Sequence, residues 1–174
     1  MLWLVTGKRG SGKSTLCHSL AEAARRAGWD VAGVVSLACL QDGHKTGIDC
    51  VDMRSGQRRR LASRRHTRVV ATGEVVTGAW AFDDDALAWG NTILRESGAC
   101  DLLIVDELGP LEFECHRGWI NGLQAVTAGN FRHALVVVRP ELLTMAQTSW
   151  PHAQVIEVSG RSDRTRLLQL LGLG

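Results

Sequence analysis

Gly7-Lys8-Arg9-Gly10-Ser11-Gly12-Lys13-Ser14 satisfies G-x-x-x-x-G-K-[ST] at every fixed position. Average residue frequencies would produce such a match in roughly one chain of this length in a hundred. The flanks decide how it is read. Leu2-Trp3-Leu4-Val5-Thr6 is a short apolar run that stops at the first glycine, which predicts a buried strand. Residues 14–27 carry Leu16, Leu20, Ala23, Ala24 and Ala27 at helical spacing, with arginines in the last turn and Gly28 beyond as a C-terminal cap. Strand, glycine loop and helix together form a phosphate cradle. The glycines permit a tight loop whose N–H groups converge on phosphate oxygens, and the helix start adds positive dipole. Lys13 then meets the β- and γ-phosphates, and Ser14 offers its hydroxyl to Mg²⁺.

Strand and helix patterns alternate along the rest of the chain. Strands are expected over 31–37, 102–105, 134–138 and 155–158, and helices over 83–97, around Trp119 to Val126, over 141–147 and over 163–171. The runs ending at Asp106-Glu107 and at Arg139-Pro140 are apolar throughout, as central parallel strands are. Gln41-Asp42-Gly43-His44 supplies turn chemistry and residues 48–53 alternate, predicting an antiparallel hairpin or meander inserted beside the main sheet. The fold class is therefore α/β, a mostly parallel sheet flanked by helices, in a single domain over residues 1–174.

Composition bounds the function. Hydrophobic residues are 45% and charged residues 22%, a globular balance that excludes a disordered chain. No apolar run approaches the ~20 residues of a membrane span. Five scattered cysteines, with no C-x-x-C and no secretory segment, predict a reducing, cytoplasmic compartment. The net charge of +2 is too small to imply nucleic acid or membrane as a partner, and a monomer is compatible with it. It conceals an asymmetry: seven arginines and no acid lie between residues 54 and 68, inside an otherwise net acidic chain.

Asp106 ends an apolar strand, where open α/β sheets bind their ligands, and is placed to hold Mg²⁺. Glu107 follows it and points elsewhere, since side chains alternate along a strand. That makes Glu107 the natural general base for a water attacking the γ-phosphate. Transition-state charge needs a further cation, for which Arg9, Arg139 and the 54–68 arginines remain alternatives.

GKRGSGKST at 7–15, GIDCVDMRSG at 47–56 and LLIVDELGPLEF at 102–113 together resemble the THEP1, or cancer-related, nucleoside-triphosphatase family over nearly the whole chain. The most specific portion is the run from Val105 to Glu112. The resemblance implies a RecA/AAA-like P-loop core and slow, Mg²⁺-dependent hydrolysis of several nucleoside triphosphates (ATP, GTP, CTP, UTP) with little base discrimination. It places the phosphate loop on Gly7 to Thr15, the metal-side carboxylate on Asp106 and the hydrolytic carboxylate on Glu107, with Leu108 and Gly109 lining the cleft. Glu112 matches without an assigned role. Lys45-Thr46-Gly47-Ile48, Pro110-Leu111-Glu112 and Gly160-Arg161-Ser162-Asp163 depart from the family's pattern, and these departures bear on base contacts more than on hydrolysis.

Weaker signals complete the reading. The arginine run suits a polyanion such as RNA, or simply a solvated hairpin face. Trp80 or Trp89 could stack on a base, although packing is the commoner use. Cys17-His18 and Cys115-His116 lack the spacing of zinc ligands. Two rival functions stay open: a small-molecule or nucleoside kinase with the basic segment as lid, and a nucleotide-dependent module binding RNA or protein.

Overall fold

The computed structural model describes residues 1–64, 76–77, 80–115, 117–159 and 162–173. Arg65, Arg68, His116, Gly160 and Arg161, which entered the sequence reading, lie outside them. The described residues form a nine-stranded sheet. In chain order the strands are β1 (Leu2–Thr6), β2 (Val31–Gln41), β3 (His44–Asp52), β4 (Arg58–Arg64), β5 (Val76–Thr77), β6 (Trp80–Phe82), β7 (Cys100–Leu108), β8 (Phe131–Val138) and β9 (Gln154–Glu157). The helices are α1 (Lys13–Arg26), α2 (Asp84–Arg95), the short α3 (Pro110–Phe113), α4 (Ile120–Ala128), α5 (Leu143–Ser149) and α6 (Ser162–Leu171).

Across the sheet the order is β5-β6-β4-β3-β2-β7-β8-β1-β9. From β2 to β9 every pairing is parallel, and from β2 outward to β5 every pairing is antiparallel. The expected insertion is thus no separate flap: β2 is long enough to belong to both halves. Its residues 31–34 pair with β7, while residues 37–41 pair with β3 alone and form the outgoing half of a hairpin arm. The arm closes through Asp42 and Gly43, both at positive φ (51° and 76°), a two-residue turn of the kind that matches strand twist.

Two apolar clusters cover the two faces. Leu16, Leu20 and Ala24 of α1 and Leu167 and Leu171 of α6 pack with Val5, Ile104 and Val137 on one side. Leu87 and Leu94 of α2, Val126 of α4 and Ala146 of α5 pack with Leu4, Val105 and Val136 on the other. The central strands are buried on both faces, which is why they read as continuous apolar runs. Truncating one such core side chain to alanine costs about 2–5 kcal/mol. Gly33 is the tightest point of the sheet: a Cβ there would stand 1.9 Å from the Ile104 carbonyl oxygen, and its φ is +99°.

Candidate active site

The loop from Gly7 to Gly12 joins β1 to α1 at the carboxyl edge of the parallel strands. Gly10 and Gly12 hold φ of 80° and 92°, which other residues rarely adopt, and this curls the loop over the helix start. Gly12 is the N-cap of α1 and gives its first turn no side-chain cap, nor does that turn carry an acid. Helix α2 is the contrast, with Asp83 capping the Ala86 N–H at 2.8 Å and Asp84 and Asp85 following. The positive end of α1 is thus left for an external anion, whereas α2 neutralises its own. The Lys13 ammonium folds back across the loop and donates to the carbonyls of Gly7 at 2.7 Å and Lys8 at 3.2 Å. It is nearly buried, at 9% exposure, and Lys8, Arg9, Gly10 and Thr15 are exposed.

Asp106 stands at the end of β7 and is fully buried. Strand β2 fixes it from the side: the Ser36 amide donates to Oδ2 at 3.0 Å, and the Ser36 hydroxyl donates to the Asp106 carbonyl at 2.8 Å. Its other carboxylate oxygen, Oδ1, has no hydrogen-bond partner. Burial raises the Asp106 carboxyl to about 7, opposed by the Ser14 hydroxyl, the Ser36 amide and Lys13, with Glu107 adding to the rise. A buried, unpartnered carboxylate oxygen beside a serine hydroxyl is a donor set suited to a small hard cation, so Asp106 and Ser14 fit Mg²⁺.

The Asp106–Glu107 peptide is cis. Glu107 is part-exposed and its Oε1 accepts from Arg139 Nε at 2.8 Å. The pairing follows from topology. Strand β8 lies between β1 and β7, so the residue after its last, Arg139, emerges between the phosphate loop and the Asp106-Glu107 step. Leu108 turns its side chain into the core on the α2 side. Gly109 gives its N–H to Glu112 Oε2 at 2.7 Å, while Glu112 Oε1 accepts the Trp119 N–H at 2.7 Å. The buried Glu112 therefore ties the turn after β7 to the start of α4, a role the sequence reading lacked.

Lys45, the first residue of the 45–48 departure from the family's pattern, also reaches toward the site. It stands on the returning strand of the hairpin arm, half-buried, its Nζ 4.8 Å from the centre of the Trp80 ring, within electrostatic range of Arg9, Glu107 and Asp106. Trp80 is therefore occupied by a cation, and Trp89 by Arg59 at 4.7 Å, rather than either being an open platform for a base. Most described members of the arginine run are likewise engaged. Arg54 grips Asp30 through two nitrogens at 2.8 and 3.0 Å, and Arg60 pairs with Asp49 at 2.8 Å.

A glycine loop opening a helix, with an Asp-Glu step two strands away at the same sheet edge, defines the chain as a P-loop α/β protein of the nucleoside-triphosphatase type. Residues 3–163 match the profile of a family described as NTPase, and the chain belongs to that family. It is similar to the nucleoside-triphosphatase THEP1 of Pyrobaculum aerophilum, 35% identical over 111 residues that cover 64% of this chain and 59% of that protein. THEP1 of Caldivirga maquilingensis is 29% identical over 138 residues, covering 79% of this chain and 74% of that one. The match spans less than two thirds of the Pyrobaculum aerophilum relative and, at 62%, of the Pyrococcus abyssi one. The solution structure of a human cancer-related nucleoside triphosphatase superposes with a TM-score of 0.74 at 20% identity, covering 98% of this chain and 95% of that one, and so shares the fold.

Proposed function

We propose that this chain is a slow, Mg²⁺-dependent nucleoside-triphosphate phosphohydrolase with broad base tolerance. The observation that carries the proposal is the carboxylate pair at the end of β7. Asp106 is buried with one unpartnered oxygen beside Ser14, and Glu107 is part-exposed in the cleft and oriented by Arg139. The N–H groups of the loop from Gly7 to Gly12 and the α1 dipole bind the phosphates, and Lys13 exchanges its loop carbonyls for the β- and γ-phosphate oxygens. Mg²⁺, held by Asp106 and Ser14, would neutralise charge developing on those oxygens. Glu107 accepts the proton of the attacking water as the γ-phosphoryl group leaves the β-phosphate oxygen. The Arg139 ion pair aligns that carboxylate in the cleft.

Broad base tolerance is supported by the engagement of both tryptophans with cations, which leaves recognition to the phosphate end. A reducing, cytoplasmic setting is supported by five free cysteines. No helix among the described residues is long and apolar enough to cross a membrane. The described part of the basic segment is a strand within the sheet, with Arg60 and Arg59 bound to their neighbours, so neither a kinase lid nor an RNA-binding face gains support from it.

The test is phosphate release from ATP, GTP, CTP and UTP with Mg²⁺ and with EDTA. Release from all four is expected within about tenfold of one another, since a single weak base contact of ~1 kcal/mol discriminates no further, and EDTA abolishes it. Nucleotide turnover that requires an added alcohol or nucleoside acceptor would instead make the protein a kinase.

A further inference from the structure

We propose that Lys45 is the second cation of the phosphoryl-transfer site, presented by the hairpin arm and docking on the γ-phosphate opposite Lys13. This rests on the hydrolase reading and adds a catalytic residue to it.

The backbone brings Lys45 there by an irregularity. Pairing between β2 and β3 runs in register up to Cys39 and Gly47, then shifts so that Leu40 faces Lys45 and Thr46 has no partner on β2. An extra residue in one strand re-aims the side chains beyond it. Here the shift puts Lys45 on the face of Leu40 instead of that of Cys39, and its ammonium comes to rest over Trp80 of β6.

The charge arrangement around Lys45 calls for an anion. Of the other cations near the cleft, Arg139 is paired with Glu107 and Arg60 with Asp49, Lys13 donates to two loop carbonyls, and the exposed Lys8 has no ion pair among the described residues. Among the described residues neither Lys45 nor Arg9 has a carboxylate within ion-pairing distance. Burial first, and then the nearby Arg9, push the Lys45 ammonium below its usual value, partly offset by Glu107 and Asp106. An aromatic face holds a lysine without neutralising it, so Trp80 fixes the direction of the charge and leaves it available. Cations without an ion pair gathered at the open end of a phosphate loop repel one another until a multivalent anion lies between them. The group expected there is the terminal phosphate of a bound nucleotide, whose transition state spreads negative charge over its peripheral oxygens.

The test compares wild type, Lys45→Met and Lys45→Arg in two measurements: phosphate release from MgATP, and the affinities for MgADP and for a non-hydrolysable imido analogue of MgATP. Lys45→Met should lower kcat by about a hundredfold or more. It should also erase the preference for the triphosphate analogue over MgADP, while MgADP affinity stays at the wild-type value and shows that the fold and loop are intact. Lys45→Arg should restore both. The proposal is overturned if Lys45→Met keeps the wild-type kcat or the wild-type preference for the analogue. Absence of phosphate release from wild type would contradict the hydrolase reading instead, and the affinity comparison would still decide the place of Lys45.

Discussion

At Asp106 the protein holds a carboxylate away from water, with one oxygen bonded to Ser36 and the Ser14 hydroxyl beside the group. Such a group is costly when charged. In the folded chain its carboxyl titrates near 7 against an ordinary value of 3.8, because of burial first of all. The stability it contributes is therefore complete below about pH 4 and lost as pH rises through 7. Asp106→Asn removes that dependence. In EDTA, the melting temperature of Asp106→Asn relative to wild type should be higher at pH 8 than at pH 5; a difference that does not change with pH would contradict the burial account. Lys13, Ser14 and Asp106 were legible in the sequence, because a loop motif and the end of an apolar run are local signals. Ser36 and Lys45 were not. Their partners are set by which strands lie side by side, and for Lys45 by a one-residue shift in register. Arg139 is one of three alternatives for the transition-state cation, and the position of β8 between β1 and β7 instead makes it the ion-pair partner of Glu107.

Among the elements, the strands and helices with long periodic patterns fall close to their expected positions. Helix α1 begins at Lys13 against an expected 14, and β9 and α6 are shifted by a residue or so. The exceptions have physical reasons. Strand β2 runs on to Gln41 because its far half is held by β3 rather than by burial, so hydrophobicity does not mark its end. Helix α3 spans four residues, too few for any period to show. What orders it is the Glu112 carboxylate, which accepts two backbone N–H groups from opposite sides. Glu112→Gln presents an amide NH₂ to one of those N–H groups, which should cost about 1–3 kcal/mol. Denaturant titration should register this loss, together with a lower kcat as the turn after Glu107 loosens. A variant as stable and as active as wild type would show that the tie is dispensable.

On the scale of the whole molecule, the sheet has two halves with different tasks. The parallel half brings the phosphate loop, Asp106, Glu107 and Arg139 to one edge. The antiparallel half adds an arm that reaches past that edge and carries Lys45. The α/β class and the parallel core were readable from alternating patterns. The continuity of the two halves was not, since nothing in the sequence announces that one strand serves both. The basic stretch also changes meaning at this scale: a concentrated charge in sequence becomes, in the fold, arginines turned to Asp30, Asp49 and Trp89. Hydrolysis by Glu107 at the loop built around Lys13 is what the fold as a whole supports. Its most direct test is multiple-turnover phosphate release from MgATP by wild type, Glu107→Gln and Lys13→Ala, with MgATP binding measured on each. Wild type should release phosphate, Glu107→Gln should fall by about a hundredfold or more with binding retained, and Lys13→Ala should lose both binding and release. Wild-type turnover in Glu107→Gln would contradict it.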